Sequence, residues 1–364
     1  MNAFNPQRLR LARERAGLSI IDLARSVGVT ARQVSNYERG ASVPSSLALE
    51  KIVATLGFEE RFYFGNSLVA LRDEHATFRS LRRTTATQRN QVLAAGSLAM
   101  DLNSYIEQRF DLPPVDIPDL SDHLGQPEVA AATLRSMWGL SHAVPNAIAL
   151  LEVHGVRVFS LLEELREVNA FSVWVGQRPF VFLNMTKTAE ASRFDALHEL
   201  AHLCLHRHEC DPREMEAEAH RFSAAMLMPL SDVNSIATGV ITLGTLVKLK
   251  RRWGVSVAAL AHRLHELDII GPWPYRNLCI ALSSKGYRAK EPNPMERESS
   301  RVLAKVFAQL RTDGVTINDL ASDLAIPAEE IRRLVFGLAI VGLDGGSTRN
   351  TSVKATARTL RAVK

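Results

Sequence analysis

Apolar residues recur at helical spacing from the start of the chain. Asn5-Pro6 reads as a cap followed by proline at the first helical position, and Leu9, Leu11, Ala12 and Ala16 form one stripe up to Gly17. Ser19 caps a second short helix over residues 20–27, with Asp22 in the place of the capping-box acid. Gly28-Val29 makes a turn, and Thr30 caps a third helix over residues 31–38 that Arg39-Gly40 ends. Ser45 or Ser46 opens a fourth, whose Leu47, Leu49, Ile52, Val53 and Leu56 keep helical spacing until Gly57. Residues 72–110 are helix-prone, with one interruption expected near Gly96. Leu112-Pro113-Pro114 with Pro118 is an extended linker, because a residue before proline is pushed out of the helical region.

Beyond the linker the pattern becomes mixed. Residues 127–138 and 145–154 read as helices, and 156–159 as a short β-rich run. Residues 171–175 and 180–183 are two further strands, joined by the hairpin signature Gly176-Gln177-Arg178-Pro179. Helices resume near Ala189 and continue to about Leu267. Gly271-Pro272-Trp273-Pro274 then breaks the pattern, and residues 317–324 and 327–336 form a second helix–turn–helix-like pair. The expected fold class is mainly α with a small β-sheet (α+β). Four consecutive segments are expected: an N-terminal helical domain over 1–65, a helical linker over 66–118, a central domain over 119–270, and a helical, winged-helix-like region with a basic tail over 271–364.

Composition narrows the class without naming a function. Of 364 residues, 46% are hydrophobic and 23% charged, which excludes a wholly disordered chain. No apolar run reaches membrane-spanning length, and Met1–Gly17 carries four arginines among its leucines, so neither a membrane partner nor a secretory signal is expected. Three cysteines (Cys204, Cys210, Cys279) are too few for a disulfide framework and fit a reducing cytoplasm. The net charge of +5 permits an anionic partner. Arg72, Arg79, Arg82, Arg83 and Arg89 form a basic stretch that reads as a solvated face or as a phosphate-facing extension of the N-terminal unit. The tail from Ser347 holds five basic residues and no acidic one, and reads as a mobile extension.

The N-terminal pair of short helices suits double-stranded DNA. On residues 31–38, Val34 and Tyr37 are expected to face inward, leaving Ala31, Arg32, Gln33, Ser35 and Asn36 available. Arg32 can donate two hydrogen bonds to a guanine edge, and Gln33 or Asn36 can pair with adenine. Thr30 and Arg39 are better placed for phosphates. Arg8-Leu9-Arg10, Ala12-Arg13, Leu18-Ser19, Asp22-Leu23-Ala24, Val27-Gly28-Val29-Thr30, Ser35-Asn36-Tyr37-Glu38-Arg39-Gly40 and Pro44-Ser45 together resemble the XRE/Cro-type repressor family over residues 6–58. The resemblance implies a five-helix DNA-binding domain that engages paired half-sites as a homodimer.

The strongest chemical signal is His198-Glu199-Leu200-Ala201-His202. Residues four apart share a helix face, so His198 and His202 can offer imidazole nitrogens to one cation, with Glu199 beside them to take a proton from water. Leu197, Leu200, Ala201 and Leu205 are left to pack inward, and Cys204 reads as core. Catalytic Zn²⁺ takes three protein ligands, so a third is required. It is sought on a second helix, Glu216 to Pro229, where Glu216 and His220 share a face. Glu218 points roughly opposite Glu216, and His206 and His208 compete from the first helix and its exit. Met226 and Met228 read as packing.

These two segments resemble the ImmA/IrrE metallopeptidase family over residues 145–235. There an HExxH helix precedes a helix of the form E-x-x-A-N-x-F-A-x-x-L-L-M-P; this chain reads E-A-E-A-H-R-F-S-A-A-M-L-M-P, and Pro179-Phe180-Val181-Phe182-Leu183-Asn184 is similar to the family's preceding strand. The resemblance implies a zincin-like fold with His198, His202 and Glu216 as zinc ligands and Glu199 as general base. His220 departs from the family's Asn or Asp, so it either orients a ligand from behind or replaces Glu216.

The expected function is a DNA-binding regulator with a zinc-dependent endopeptidase that cuts a repressor-type protein in a stress, mobile-element or defence response. The alternative is a transcription factor or antitoxin-like regulator whose zinc domain is a non-proteolytic sensor or partner-binding module. The C-terminal helix pair offers dimerisation, partner binding or a second DNA contact.

Overall fold

The Asn5 side chain accepts hydrogen bonds from the backbone N–H groups of Gln7 and Arg8, at 3.0 and 3.4 Å, and Pro6 follows where its missing N–H costs nothing. The computed structural model describes residues 3–71, 85–161, 168, 170–207, 211–235, 239–339 and 358–359. Arg72, Arg79, Arg82, Arg83, His208, Cys210 and the basic tail apart from Arg358–Thr359 lie outside the described residues.

In chain order the helices are α1 (Pro6–Arg15), α2 (Ile20–Val27), α3 (Ala31–Glu38), α4 (Ser46–Leu56), α5 (Ala86–Glu107), α6 (Pro127–Met137), α7 (Ala147–Val153) and α8 (Ala189–Leu205). They continue as α9 (Pro212–Leu227), α10 (Leu230–Asn234), α11 (Leu243–Trp253), α12 (Val257–Glu266), α13 (Pro272–Ser284), α14 (Arg301–Thr312), α15 (Ile317–Leu324) and α16 (Ala328–Leu334). The strands are β1 (Phe110–Asp111), β2 (Arg157–Ser160), β3 (Ala170–Val175), β4 (Arg178–Leu183) and β5 (Arg358–Thr359). The fold is mainly α with a three-stranded sheet of order β2-β4-β3 and a two-residue parallel pairing of β1 with β5. Among the described residues no helix is long and apolar enough to cross a membrane.

The chain divides into two units: Met1–Pro113, Phe159–Val168 and Arg301–Lys364 in one, Pro114–Val158 and Asn169–Ser300 in the other. This grouping differs from four consecutive segments. Residues up to Ser300 fall in the second unit, and α14 to α16 fall in the unit that holds the N-terminus.

In the first unit, Leu9, Leu23, Val27, Val34 and Ile52 are buried around a core that α1 to α4 share. A 3-10 turn over Glu60–Phe64 follows α4 and buries Phe62 and Tyr63. Helix α5 runs unbroken through Gly96, contrary to the interruption expected there. A mid-helix glycine costs about 1 kcal/mol relative to alanine. Here Ala94, Ala95, Gly96 and Ser97 are all buried, so close packing outweighs that cost. Helix α5 also packs against α1, α15 and α16. Buried Arg15 pairs with Glu330 at 2.6 Å, and Tyr105 donates to Asp323 at 3.0 Å.

In the second unit β3 and β4 pair antiparallel, with Val175 opposite Arg178. Gly176 begins the two-residue connection at φ +58°, a conformation that a side chain would strain. Helix α8 lies on this hairpin, α9 packs on α8, and α6 packs on α9. Helix α13 begins at Pro272, directly after Gly271, and packs on α12. The irregular segment after α13 is laced down by buried charge. Lys250, 2% exposed, contacts Glu190 at 2.7 Å and Glu291 at 3.2 Å, and Glu291 also accepts the Val257 N–H at 2.8 Å at the start of α12. Glu298 pairs with Arg193 of α8 and accepts the Ala147 N–H at 2.9 Å, capping α7. These pairs neutralise charges that burial would otherwise make costly, and they hold residues 291–300 against the unit that contains α8.

Candidate metal centre and nucleic-acid interface

Thr188 caps α8 by accepting the Ala191 N–H at 3.2 Å, and the helix then buries Leu197, Leu200, Ala201, Cys204 and Leu205. That inward face sets the azimuth of the others. His198 and His202, one turn apart, bring their Nε2 atoms within 3.1 Å of each other. From α9, Glu216 places one carboxylate oxygen 3.5 Å from His198 Nε2 and the other 3.5 Å from His202 Nε2. A tetrahedral zinc with bonds of about 2.0–2.1 Å separates its ligand atoms by roughly 3.3 Å. Two imidazoles and one carboxylate at these spacings therefore fit that ion in both chemistry and size.

The electrostatics favour a cation. Burial pushes His202 down to about 4, so the ring is neutral and its nitrogen lone pair is free to bind. Burial would also lower His198, but Glu216, Glu199 and Asp195 raise it above the ordinary histidine value. Burial opposes ionisation of Glu216, yet His198 and His202 hold it well below the usual carboxylate range.

Behind the pair runs a chain of hydrogen bonds. His202 Nδ1 faces His206 Nδ1 at 2.9 Å, and His206 Nε2 faces a Glu218 oxygen at 3.1 Å. The other Glu218 oxygen accepts the Gly125 N–H at 2.7 Å. If His202 presents the Nε2 lone pair, its proton must sit on Nδ1 and be donated to His206. His206 then carries its own proton on Nε2 and donates it to Glu218. The chain thus fixes the tautomer of His202.

Glu199 is 4% exposed and accepts a 2.7 Å hydrogen bond from the Ser172 hydroxyl on β3. Burial pushes its carboxyl up to about 7, against the opposing pull of His198 and the Ser172 bond. A carboxylate at that value both accepts and releases a proton near neutrality. Ser172 was not singled out from sequence. Its signal was a lone hydroxyl in the apolar run Ala170-Phe171-Ser172-Val173-Trp174-Val175.

The other histidine candidates separate. His220 does not join the His198–His202–Glu216 group; its ring lies 5.0 Å from Phe194 and 5.2 Å from His262. His206 and Glu218 stand behind His202 rather than beside Glu216. Met226 and Met228 are fully buried.

In the first unit, α2 ends at Gly28 (φ +77°), and α3 begins at once with a Thr30–Gln33 capping box. Gln33 accepts from the Thr30 N–H at 2.9 Å, so part of its hydrogen-bonding capacity is committed to the cap. Val34 and Tyr37 are buried, Thr30, Arg32, Gln33 and Arg39 are exposed, and Ala31, Ser35 and Asn36 are half-buried. Arg39 donates to Asn36 at 2.9 Å and to the Ser35 carbonyl at 3.2 Å. Arg13 grips Glu38 through two hydrogen bonds of 2.5 and 2.9 Å, anchoring α3 to α1.

Residues 9–62 match the helix-turn-helix family model, and residues 151–265 match the model of the IrrE N-terminal-like domain in the M78 peptidases. A putative HTH-type transcriptional regulatory protein of Archaeoglobus fulgidus is 43% identical over 59 residues. That match covers 16% of this chain and 19% of the relative, so the likeness concerns one domain. The chain joins an XRE-type helix-turn-helix DNA-binding domain to an IrrE-like domain of the M78 peptidase family.

Proposed function

We propose that this protein is a DNA-binding transcriptional regulator whose IrrE-like domain is a zinc-dependent endopeptidase that cuts a repressor-type protein. The observation that carries the reading is the convergence of His198, His202 and Glu216 at 3.1–3.5 Å, with the carboxyl of Glu199 buried beside them. Zinc held there would supply Lewis acidity toward a peptide carbonyl and lower the pKa of water toward neutrality. His198, His202 and Glu216 would hold the ion, and His206 with Glu218 would keep His202 in the binding tautomer. Glu199 takes the proton as water oxygen bonds to the scissile carbonyl carbon, and returns it to the amine as the C–N bond breaks. Ser172 aims the Glu199 carboxylate. The helix-turn-helix domain supplies the DNA partner, with α3 as the reading helix and two copies on paired half-sites.

A second reading keeps the metal but not the cleavage, making the domain a sensor or partner-binding module. The burial of Glu199 under the Ser172 hydroxyl favours it, because a base engaged by a protein donor must be released before it serves water. Glu199→Gln distinguishes the two. Under the peptidase reading it retains zinc and DNA binding but loses cleavage of XRE-type repressors and of a second copy of this chain. Identical cleavage patterns for wild type and variant would reject the peptidase reading.

A further inference from the structure

A second group of metal-binding side chains stands one turn along α9 from Glu216. His220 faces His262 and Glu266 of α12, and each offers one donor atom, all within 4.8 Å of one another. On α12 the pair is spaced i,i+4 and shares one helix face; α9 brings the third group, the His220 ring, to 5.2 Å from that of His262. The two imidazole rings meet at 82° with centroids 5.2 Å apart, a T-shaped contact in which the edge of one ring approaches the other.

One polar atom of this group is left without a hydrogen bond. His262 Nδ1 is shielded from solvent and makes no hydrogen bond; the nearest Glu266 oxygen stands 3.4 Å away, an ion-pair distance. Arg221 stands 4.0 Å from the opposite carboxylate oxygen of Glu266, and its side chain is 60% exposed. The oxygen that faces His262 is thus not the one Arg221 approaches.

We propose that His220, His262 and Glu266 form a second transition-metal site, separate from the His198–His202–Glu216 centre, that clamps α9 to α12. Two imidazoles and a carboxylate select a borderline divalent ion such as Zn²⁺, Co²⁺ or Ni²⁺ over Mg²⁺ or Ca²⁺, which take oxygen ligands. The two groups share no residue. Their contributions from α9 are one turn apart, about 6 Å along the axis, so this is not a bridged pair of the kind whose ions lie about 3.5–4 Å apart. The second group is also the more open: the His262 side chain is 40% exposed where His202 is 3% exposed. It therefore binds its ion more weakly. An ion there steadies the turn of α9 that follows Glu216.

Cobalt titration of the full chain, in competition with a chromophoric chelator, tests the assignment. Wild type is expected to bind two equivalents and His262→Gln one. His198→Ala/His202→Ala is expected to keep one equivalent, with visible absorption bands of a low-coordinate Co²⁺ ion. Adding Glu266→Gln to that double variant should weaken the remaining site at least about 10–100-fold. A thermal melt in EDTA establishes that each variant folds, and the His262→Gln comparison needs no change in α8. One equivalent in both wild type and His262→Gln overturns the second site. So does a folded His198→Ala/His202→Ala protein that takes up no cobalt. Two equivalents retained by that same double variant would instead count against the first centre, so the two readings fail separately.

Discussion

The Nδ1 atoms of His202 and His206 stand 2.9 Å apart, both buried. One of them must carry the proton between them, and its position decides whether His202 turns a lone pair or an N–H toward His198 and Glu216. Glu218 resolves this by accepting a hydrogen bond from the Nε2–H of His206, which leaves His206 Nδ1 to accept from His202.

Removing the end of that chain should weaken the metal centre from a distance. Glu218→Ala leaves His206 without its acceptor and the Gly125 N–H without a partner. Zinc affinity should fall by about 10–100-fold, read by chelator competition, while affinity for operator DNA is unchanged. Unchanged zinc affinity would remove His206 and Glu218 from any positioning role.

Ser172→Ala tests the aim and ionisation of Glu199. The hydroxyl donates to the charged carboxylate, so its loss disfavours the ionised form and moves the Glu199 pKa further above its ordinary value. Peptidase activity, which needs the ionised base, should then set in at higher pH: the acid limb of kcat/KM should shift upward by about 1 unit. A downward shift or none would show that the hydroxyl does not engage the base during catalysis.

Glu330→Ala tests the grouping of C-terminal and N-terminal helices in one unit. It strands Arg15, whose side chain is 5% exposed, without its counter-charge. Loss of one partner of a buried pair costs about 3–5 kcal/mol. Urea unfolding should register that loss, and the apolar double replacement Arg15→Met/Glu330→Leu should recover most of it. A change below about 1 kcal/mol, the size of an exposed pair, would contradict the buried contact.

Arg32→Ala addresses the reading helix. The side chain is exposed on α3 above the buried Val34 and Tyr37. Its loss should weaken specific binding by about 1–3 kcal/mol and relax the choice of base at one position, seen by footprinting on permuted operators. An unchanged footprint and affinity would place recognition elsewhere.

Local chemistry was legible in the sequence. The caps at Asn5, Ser19, Thr30 and Ser45 each accept a backbone N–H in the first turn of their helix, because a cap depends on residues two or three positions away. The i,i+4 spacing placed His198 and His202 on one face for the same reason. The third donor was not decidable from α9 alone, since Glu216 and His220 share a face; how α9 crosses α8 selects Glu216. Glu218, expected to point roughly opposite Glu216, reaches His206 at 3.1 Å. Ser172 and residues 291–300 were not legible, because their roles arise across elements far apart in the chain. Arg15 and Glu330 are 315 positions apart, beyond any periodicity. Gly96 misled because its burial, not its propensity, decides its conformation.

Under the peptidase reading His198, His202 and Glu216 share one zinc ion. Anomalous scattering at the zinc edge from crystals of the zinc-loaded protein locates that ion. A peak is expected about 2.0–2.2 Å from both Nε2 atoms and from one Glu216 oxygen. Zinc-loaded crystals with no peak among these three side chains, or with Glu216 turned away from one, would contradict it.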